Sequence, residues 1–210
     1  ALPRRAIAAV GGHRSFGFNF DPSHLIWQGV DPEKFVDAFP DRVLNTPISE
    51  AAIVGIGNGL GLAARRAVVE IMFGDFLTLC FDQILNHAAK FHGMYNRQVV
   101  NPIVIRTPMG GGRGYGPTHS QNLEKHFSGV PGVRTLVLHG RTRIEPMYRA
   151  LQSARHPTLV IENKLLYRER GESPLPAGST LLEVGSPFPA TVLRPDGEPD
   201  LTLVAFGRMS

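Results

Sequence analysis

The chain has 210 residues, 42% of them apolar, and carries a formal charge of +4 from 22 lysines and arginines against 18 acids. That is enough apolar chain for one substantial α/β domain, or one domain plus a fragment of another, and it excludes disorder throughout. The basic groups, 18 arginines and 4 lysines, are scattered; a nucleic-acid footprint would cluster them among aromatics, and a membrane span would need about 18 uninterrupted apolar residues that no window supplies.

Residues 1–40 are broken by glycine and proline and read as an irregular arm with one helical candidate, Asp31 to Phe39. Its first 20 residues hold Arg4, Arg5 and Arg14 and no acid, loosely like a targeting leader; a disordered arm is the expected reading. Residues 41–167 are regular. The periodicity predicts a short strand at 42–45, a helix from about Ser49 to Arg65, a strand at 67–72 and a helix from about Asp75 to His92. An apolar strand bounded by Pro102 and Pro108 follows, then the glycine-rich loop Met109 to Ser120, a strand at 133–140, a helix from Ile144 to Arg155 and a strand at 156–163. This alternation predicts an α/β fold, a parallel sheet with helices on both faces and its active residues at the carboxyl ends of strands. Residues 168–199, rich in proline, glycine and glutamate, read as a connecting segment, and 200–210 as the first strand of another domain.

The run Asn45 to Phe76 raises the functional question, because one carboxylate, Glu50, stands just ahead of Gly55, Gly57, Gly59 and Gly61. Gly59 to Ala64 formally fits the dinucleotide pattern G-x-G-x-x-A, the signature of a nicotinamide-dependent dehydrogenase. That motif belongs in a tight turn after a strand, whereas Pro47, Ser49 and Glu50 mark a helix start here. Inside a helix each glycine costs roughly 1 kcal/mol relative to alanine. Four of them are expected where a bare backbone is useful, as in close approach to another helix. Glu50 in the first turn would be favoured by the helix dipole alone. The single cysteine, Cys80, lies in an apolar setting and is expected to be a buried, inert thiol in a reducing compartment.

Five stretches, "DRVLNTPISE", "VVEIMFGDF", "DQILNHAAK", "GPTHSQ" and "HPTLVIENKLLY", resemble the beta subunit of the thiamine-diphosphate-dependent 2-oxo acid dehydrogenases, the first components of the pyruvate, branched-chain 2-oxo acid and acetoin complexes. The resemblance runs from about Arg42 to Tyr167 and resumes in "LTLVAFGRMS", similar to the opening strand of that family's carboxyl-terminal, transketolase-like domain. Glu50, Gly55, Ile56 and Gly59 match the pyrimidine-binding pattern of the wider thiamine-diphosphate group, with Leu62 where many members have glutamine.

The resemblance implies that Glu50 bonds a ring nitrogen of the cofactor's aminopyrimidine, as a carboxyl able to share a proton with that ring would. It implies that Phe76 packs on the pyrimidine, that Ile48 and Met72 complete the cofactor-binding surface, and that His119 assists acyl transfer to a lipoyl group. An imidazole suits that proton transfer. Glu70 is divided between site and structural hydrogen bond, Asp82 and Gln83 fall to packing or subunit contacts, and His87 and His92 to packing or surface. The residues supply no zinc-ligand spacing. The Gly-Asp-Gly motif that holds diphosphate and Mg²⁺ is missing, which implies an alpha subunit supplying that half, a heterotetramer inert without it, and a lipoyl-bearing acyltransferase as further partner. The setting implied is the cytoplasm or the mitochondrial matrix. A non-catalytic scaffold subunit of the same fold is the alternative.

Overall fold

The computed structural model describes residues 48–169 and 174–209, together with the backbone of two short strands, β1 (Phe18–Asn19) and β2 (Val43–Leu44), which pair in parallel. The helical candidate at Asp31 to Phe39 lies outside the described residues.

Helix α1 (Glu50–Leu62) begins where the capping residues predict. Ser49 is extended, with φ −154° and ψ 103°, and its Oγ accepts from the Ala52 amide at 3.3 Å, satisfying one of the unpaired donors of the first turn. The helix stops three residues short of the expected Arg65, because Ala64 turns left-handed at φ 57° while Ala63 caps back onto the Gly59 carbonyl.

After β3 (Val68–Glu70) the expected single helix is a helical path wound in three ways: a 3₁₀ stretch at Gly74–Cys80, a π turn at Gln83–Ala88 and the short α2 (Phe91–Met94). Tertiary contacts account for the departures. Gly74 is pressed against the Met109 side chain so closely that a β-carbon would collide with it. At the start of the π turn, the Gln83 carbonyl accepts from Asn58 Nδ2 at 2.9 Å, and Asn58 Oδ1 accepts from Asn101 Nδ2 at 2.8 Å, a buried amide chain between α1 and the sheet.

Strands β4 (Val104–Met109), β5 (Arg134–Val137) and β6 (Thr158–Asn163) join β3 in one all-parallel sheet of order β3-β4-β6-β5, and α3 (Ile144–Ser153) crosses between β5 and β6. Pro108, expected to end its strand, lies inside β4. Pairing with β3 ends at Glu70 opposite Arg106, so the N–H that Pro108 lacks would have faced a vacant edge.

Alternation splits the sheet between two layers. One face packs Val69, Ile105, Leu159 and Ile161 with Val54 of α1, Leu77 and Ile84. The other packs Val104 and Val160 with Leu138, Met147 and Leu151, under α3. Helical cover on both faces of a parallel sheet is the α/β architecture expected. The glycines of α1 correct one expectation. Gly57 and Gly61 admit the sheet rather than another helix: a β-carbon on Gly57 would lie 2.6 Å from Ile103 Cδ1 and 2.8 Å from Val69 Cγ1, and one on Gly61 would collide with Asn101. Around Gly55 and Gly59 there is nothing within 4 Å. Because Gly59 and Gly61 lie within the helix, the dinucleotide turn is excluded.

The stretch expected to connect domains carries an antiparallel hairpin, β7 (Ser179–Val184) with β8 (Ala190–Pro195). It docks through Phe188, over whose ring the Arg134 guanidinium lies at 4.6 Å, and through Thr191 Oγ1, 3.3 Å from His139 Nε2. Of residues 200–210, expected as a strand, 200–206 form no ladder among the described residues, Gly207–Met209 make a 3₁₀ turn, and Leu201, Leu203, Val204 and Phe206 are exposed. No helix of the described residues is long and apolar enough to cross a membrane.

Candidate functional site

Parallel strands deliver their carboxyl ends to one edge, and three of those ends bring a cluster of side chains together here. Beyond β3 come Met72, Phe73 and Phe76; beyond β4, the loop Gly110 to His119; at the end of β6, Asn163 and then Lys164. Gly110 makes this convergence possible, since its φ of 96° turns the chain out of β4 and its bare α-carbon lies against the Asn163 amide.

Phe73 is the centre of this cluster. The His119 ring meets it edge-on at 4.7 Å between centroids, Tyr115 at 5.4 Å and Phe76 at 5.8 Å. Phe76 in turn meets His119 at 5.1 Å. These T-shaped contacts hold the imidazole among aromatic edges, and each contributes about 0.5–1.5 kcal/mol beyond area burial. His119 sits in a short 3₁₀ turn (Pro117–His119), and its Nδ1 is 2.9 Å from Thr118 Oγ1. Two of the predicted site residues, Phe76 and His119, are therefore in direct contact, and Phe76 also packs on the core.

Glu50 is half-buried at the start of α1, which lies along the 3₁₀ stretch that carries Phe76. Its charge reaches Cys80 at the far end of that stretch. The Cys80 thiol is pushed up to about 12, chiefly by burial and then by Glu50, so it is inert. Ile48 stands fully exposed ahead of the helix at 96%, and Leu79 and Ile56 are exposed too. Met72 is half-buried. Thus the carboxylate starts a helix packed along the stretch that carries Phe76, and exposed apolar side chains, Ile48 and Ile56, flank it in sequence.

Glu70 belongs elsewhere. With Arg106 and Glu162 it forms a row across β3, β4 and β6 on the α3 face. Arg106 Nη1 meets Glu70 Oε2 at 2.9 Å, while its Nε and Nη2 hold both oxygens of Glu162 at 3.0 and 2.7 Å. Tyr148 and Tyr167 also donate to Glu162, at 3.3 and 2.5 Å. Burial alone would push the Glu162 carboxyl up, but the Arg106 guanidinium and these donors hold it below the usual carboxylate range. Against burial, the two carboxylates hold Arg106 firmly charged. This network fills both oxygens of Glu162 and ties three neighbouring strands together. Asp82 accepts from Asn86 at 2.7 Å, His87 stacks on Phe91 and His92 bonds the Val99 carbonyl at 2.8 Å, all on the exposed helical surface.

Sequence reasoning missed Phe73, Asp75, Tyr115 and Lys164. Asp75 is 6% exposed; its Oδ1 accepts from the backbone and side-chain nitrogens of Gln121 at 3.3 and 2.8 Å, tying the 3₁₀ stretch to the far end of the glycine loop. The available signal was position: each lies just beyond the carboxyl end of a strand, or in the loop that leaves one. Among the described residues no group of three or more His, Cys, Asp and Glu side chains could hold a metal ion.

The fold thus defines a class, an α/β domain with an aromatic, histidine-bearing cluster at the carboxyl ends of a parallel sheet. Residues 19–170 match the family described as "Transketolase, pyrimidine binding domain", and the chain belongs to that family. Over 171 residues it is 37% identical to the acetoin:2,6-dichlorophenolindophenol oxidoreductase subunit beta of Cupriavidus necator, a match covering 80% of this chain and 48% of that protein. It is 36% identical to the mitochondrial pyruvate dehydrogenase E1 component subunit beta-1 of Oryza sativa subsp. japonica (81% and 45% covered). The 2-oxoisovalerate dehydrogenase subunit beta of Bacillus subtilis is 33% identical (80% and 49% covered). The chain spans about half the length of these curated relatives.

Proposed function

We propose that the chain is the pyrimidine-binding half of a heteromeric, thiamine-diphosphate-dependent 2-oxo acid dehydrogenase, acting with an alpha subunit. The observation that carries this reading is the half-buried Glu50 at the start of a helix packed along the Phe76-bearing stretch, in a domain of the pyrimidine-binding family. A flat, nitrogen-bearing ring fits such a surface: one carboxyl for a ring nitrogen, aromatic and aliphatic side chains for its faces. In this reading Glu50 takes the ring nitrogen, Phe76, Met72 and Ile48 contact the ring, and the alpha subunit closes over them with the groups for diphosphate and Mg²⁺. Bound, the cofactor supplies the electron sink for loss of carbon dioxide from a 2-oxo acid. Glu50 would orient it and hold or release a proton at the ring nitrogen. His119, fixed by Phe73 and Phe76 at the cleft, would move a proton as the acyl group passes to a lipoyl-bearing acyltransferase. A reducing compartment such as the cytoplasm suits a chain whose one thiol is buried and free.

The test is co-expression with an alpha-type subunit carrying the diphosphate motif, then assay of pyruvate and branched 2-oxo acids with thiamine diphosphate, Mg²⁺ and dichlorophenolindophenol. Dye reduction that needs both chains and the cofactor is expected. A stable complex that turns over none of these acids would instead support the scaffold role.

A further inference from the structure

Resting on the function just described, we propose that Lys164 is a positioning residue: it clasps the His119-bearing loop to the end of β6, and so serves acyl transfer rather than decarboxylation.

Lys164 is the first residue past β6 and is 4% exposed. It meets the loop at its beginning, middle and end. Its backbone amide donates to the Met109 carbonyl at 3.0 Å, where the loop leaves β4. Its carbonyl accepts from Arg113 Nη1 at 3.3 Å. Its Nζ donates to the carbonyl of His119 itself. The ammonium lies over two rings of the cleft, 4.7 Å from the Phe73 centroid and 5.6 Å from that of Tyr115, both favourable cation–π positions.

The loop needs such a clasp. Gly110, Gly112, Gly114 and Gly116 all adopt positive φ, a backbone that gains nothing from side-chain packing and loses much entropy on ordering. Besides Lys164, the loop is held by the ring contacts of Tyr115 and His119 with Phe73 and Phe76, by the Gly110 amide donating to the Gln121 carbonyl at 3.3 Å and by the Gln121 bonds to Asp75, so Lys164 supplies the polar tie at His119 itself.

A lysine is an unfavourable choice for filling this space. No carboxylate is in ion-pair contact with it among the described residues. Asp75 is the acid whose charge acts on it, and its Oδ2 has no hydrogen-bond partner. Burial lowers the proton affinity of Lys164, Asp75 opposes that and Arg113 adds to it. A buried cation held by one carbonyl and two aromatic faces costs folding free energy that a methionine of similar length would not. Its effect lies in what it holds, the backbone of His119.

The experiment compares Lys164→Met and Lys164→Gln with wild type in the complex with the alpha subunit. Trypsin cleavage after Arg113, inside the loop, should be about ten-fold faster in Lys164→Met, because local opening governs cutting. Acyl transfer to a lipoyl carrier should fall about ten-fold or more, as loss of orientation does, while dye-coupled decarboxylation changes less than about three-fold. Melting temperature should stay level or rise. Lys164→Gln, which keeps a donor without the charge, should recover part of both losses. Unchanged cleavage together with an unchanged ratio of the two activities would overturn the proposal, as would a parallel fall in both activities with a lower melting temperature. If wild type shows neither activity, the proposed function fails, and the cleavage rates still decide whether Lys164 clasps the loop.

Discussion

Two alanine substitutions one helical half-turn apart in α1 should move stability in opposite directions. In Gly59→Ala the new methyl meets nothing within 4 Å, so the variant keeps only the gain in helix propensity, about 0.5–1 kcal/mol. In Gly57→Ala the same gain is opposed by overpacking. The methyl would lie 2.6 Å from Ile103 Cδ1 and 2.8 Å from Val69 Cγ1, in a layer where Ile103 is fully buried and Val69 is β-branched and held in β3. Insertions of that kind cost about 1–3 kcal/mol, which leaves Gly57→Ala about 1 kcal/mol less stable than wild type. For a chain of this size the two variants should melt several degrees apart, at about 2–4 °C per kcal/mol. Urea unfolding followed by circular dichroism, with the slope checked for constancy, measures both. Equal shifts of the same sign would refute the assignment of α1's two glycine faces, one to the sheet and one left open. On the open face the methyl of Gly59→Ala should also weaken association with the proposed alpha subunit, which titration of the two chains would read.

The remaining expectations concern the carboxylates and the thiol. Glu50→Gln should leave folding unaltered and lower turnover of the complex by about 100-fold or more, the usual scale for a positioned proton-handling group; normal dye-coupled turnover removes Glu50 from the mechanism. Glu162→Gln leaves Arg106 with half its compensation, and breaking a buried pair of this kind costs about 3 kcal/mol in an unfolding titration. Because the folded Glu162 carboxyl is held below its ordinary value of 4.5, its contribution is fully present above that pH and is lost as pH falls through the lower, folded value. The wild-type stability curve should therefore fall more steeply on acidification than that of Glu162→Gln, and parallel curves would contradict the network. Cys80 should resist thiol reagents in the native state and react only on unfolding, in the time course of a chromogenic disulfide assay.

What could be read from the residues alone was local and periodic. Ser49 and Glu50 mark a helix start by chemistry that acts within one turn. The alternating elements from Val68 to Asn163 declare a parallel sheet, because only crossovers join parallel strands. The motifs pointed to Glu50, Phe76 and His119 as functional candidates. Tertiary structure decided everything that depends on who lies opposite whom. It turned one expected helix into 3₁₀, π and α pieces through Gly74 against Met109 and Asn58 against the Gln83 carbonyl. It allowed Pro108 inside β4 because β3 has already ended, and it assigned Glu70 to Arg106 rather than to the cleft. It also brought Phe73 and Lys164 against His119, Tyr115 against Phe73, and Asp75 against Gln121, from three different strand ends. Such proximity has no period in sequence: it arises when strands of different lengths stop along one edge and the loops beyond them fold together.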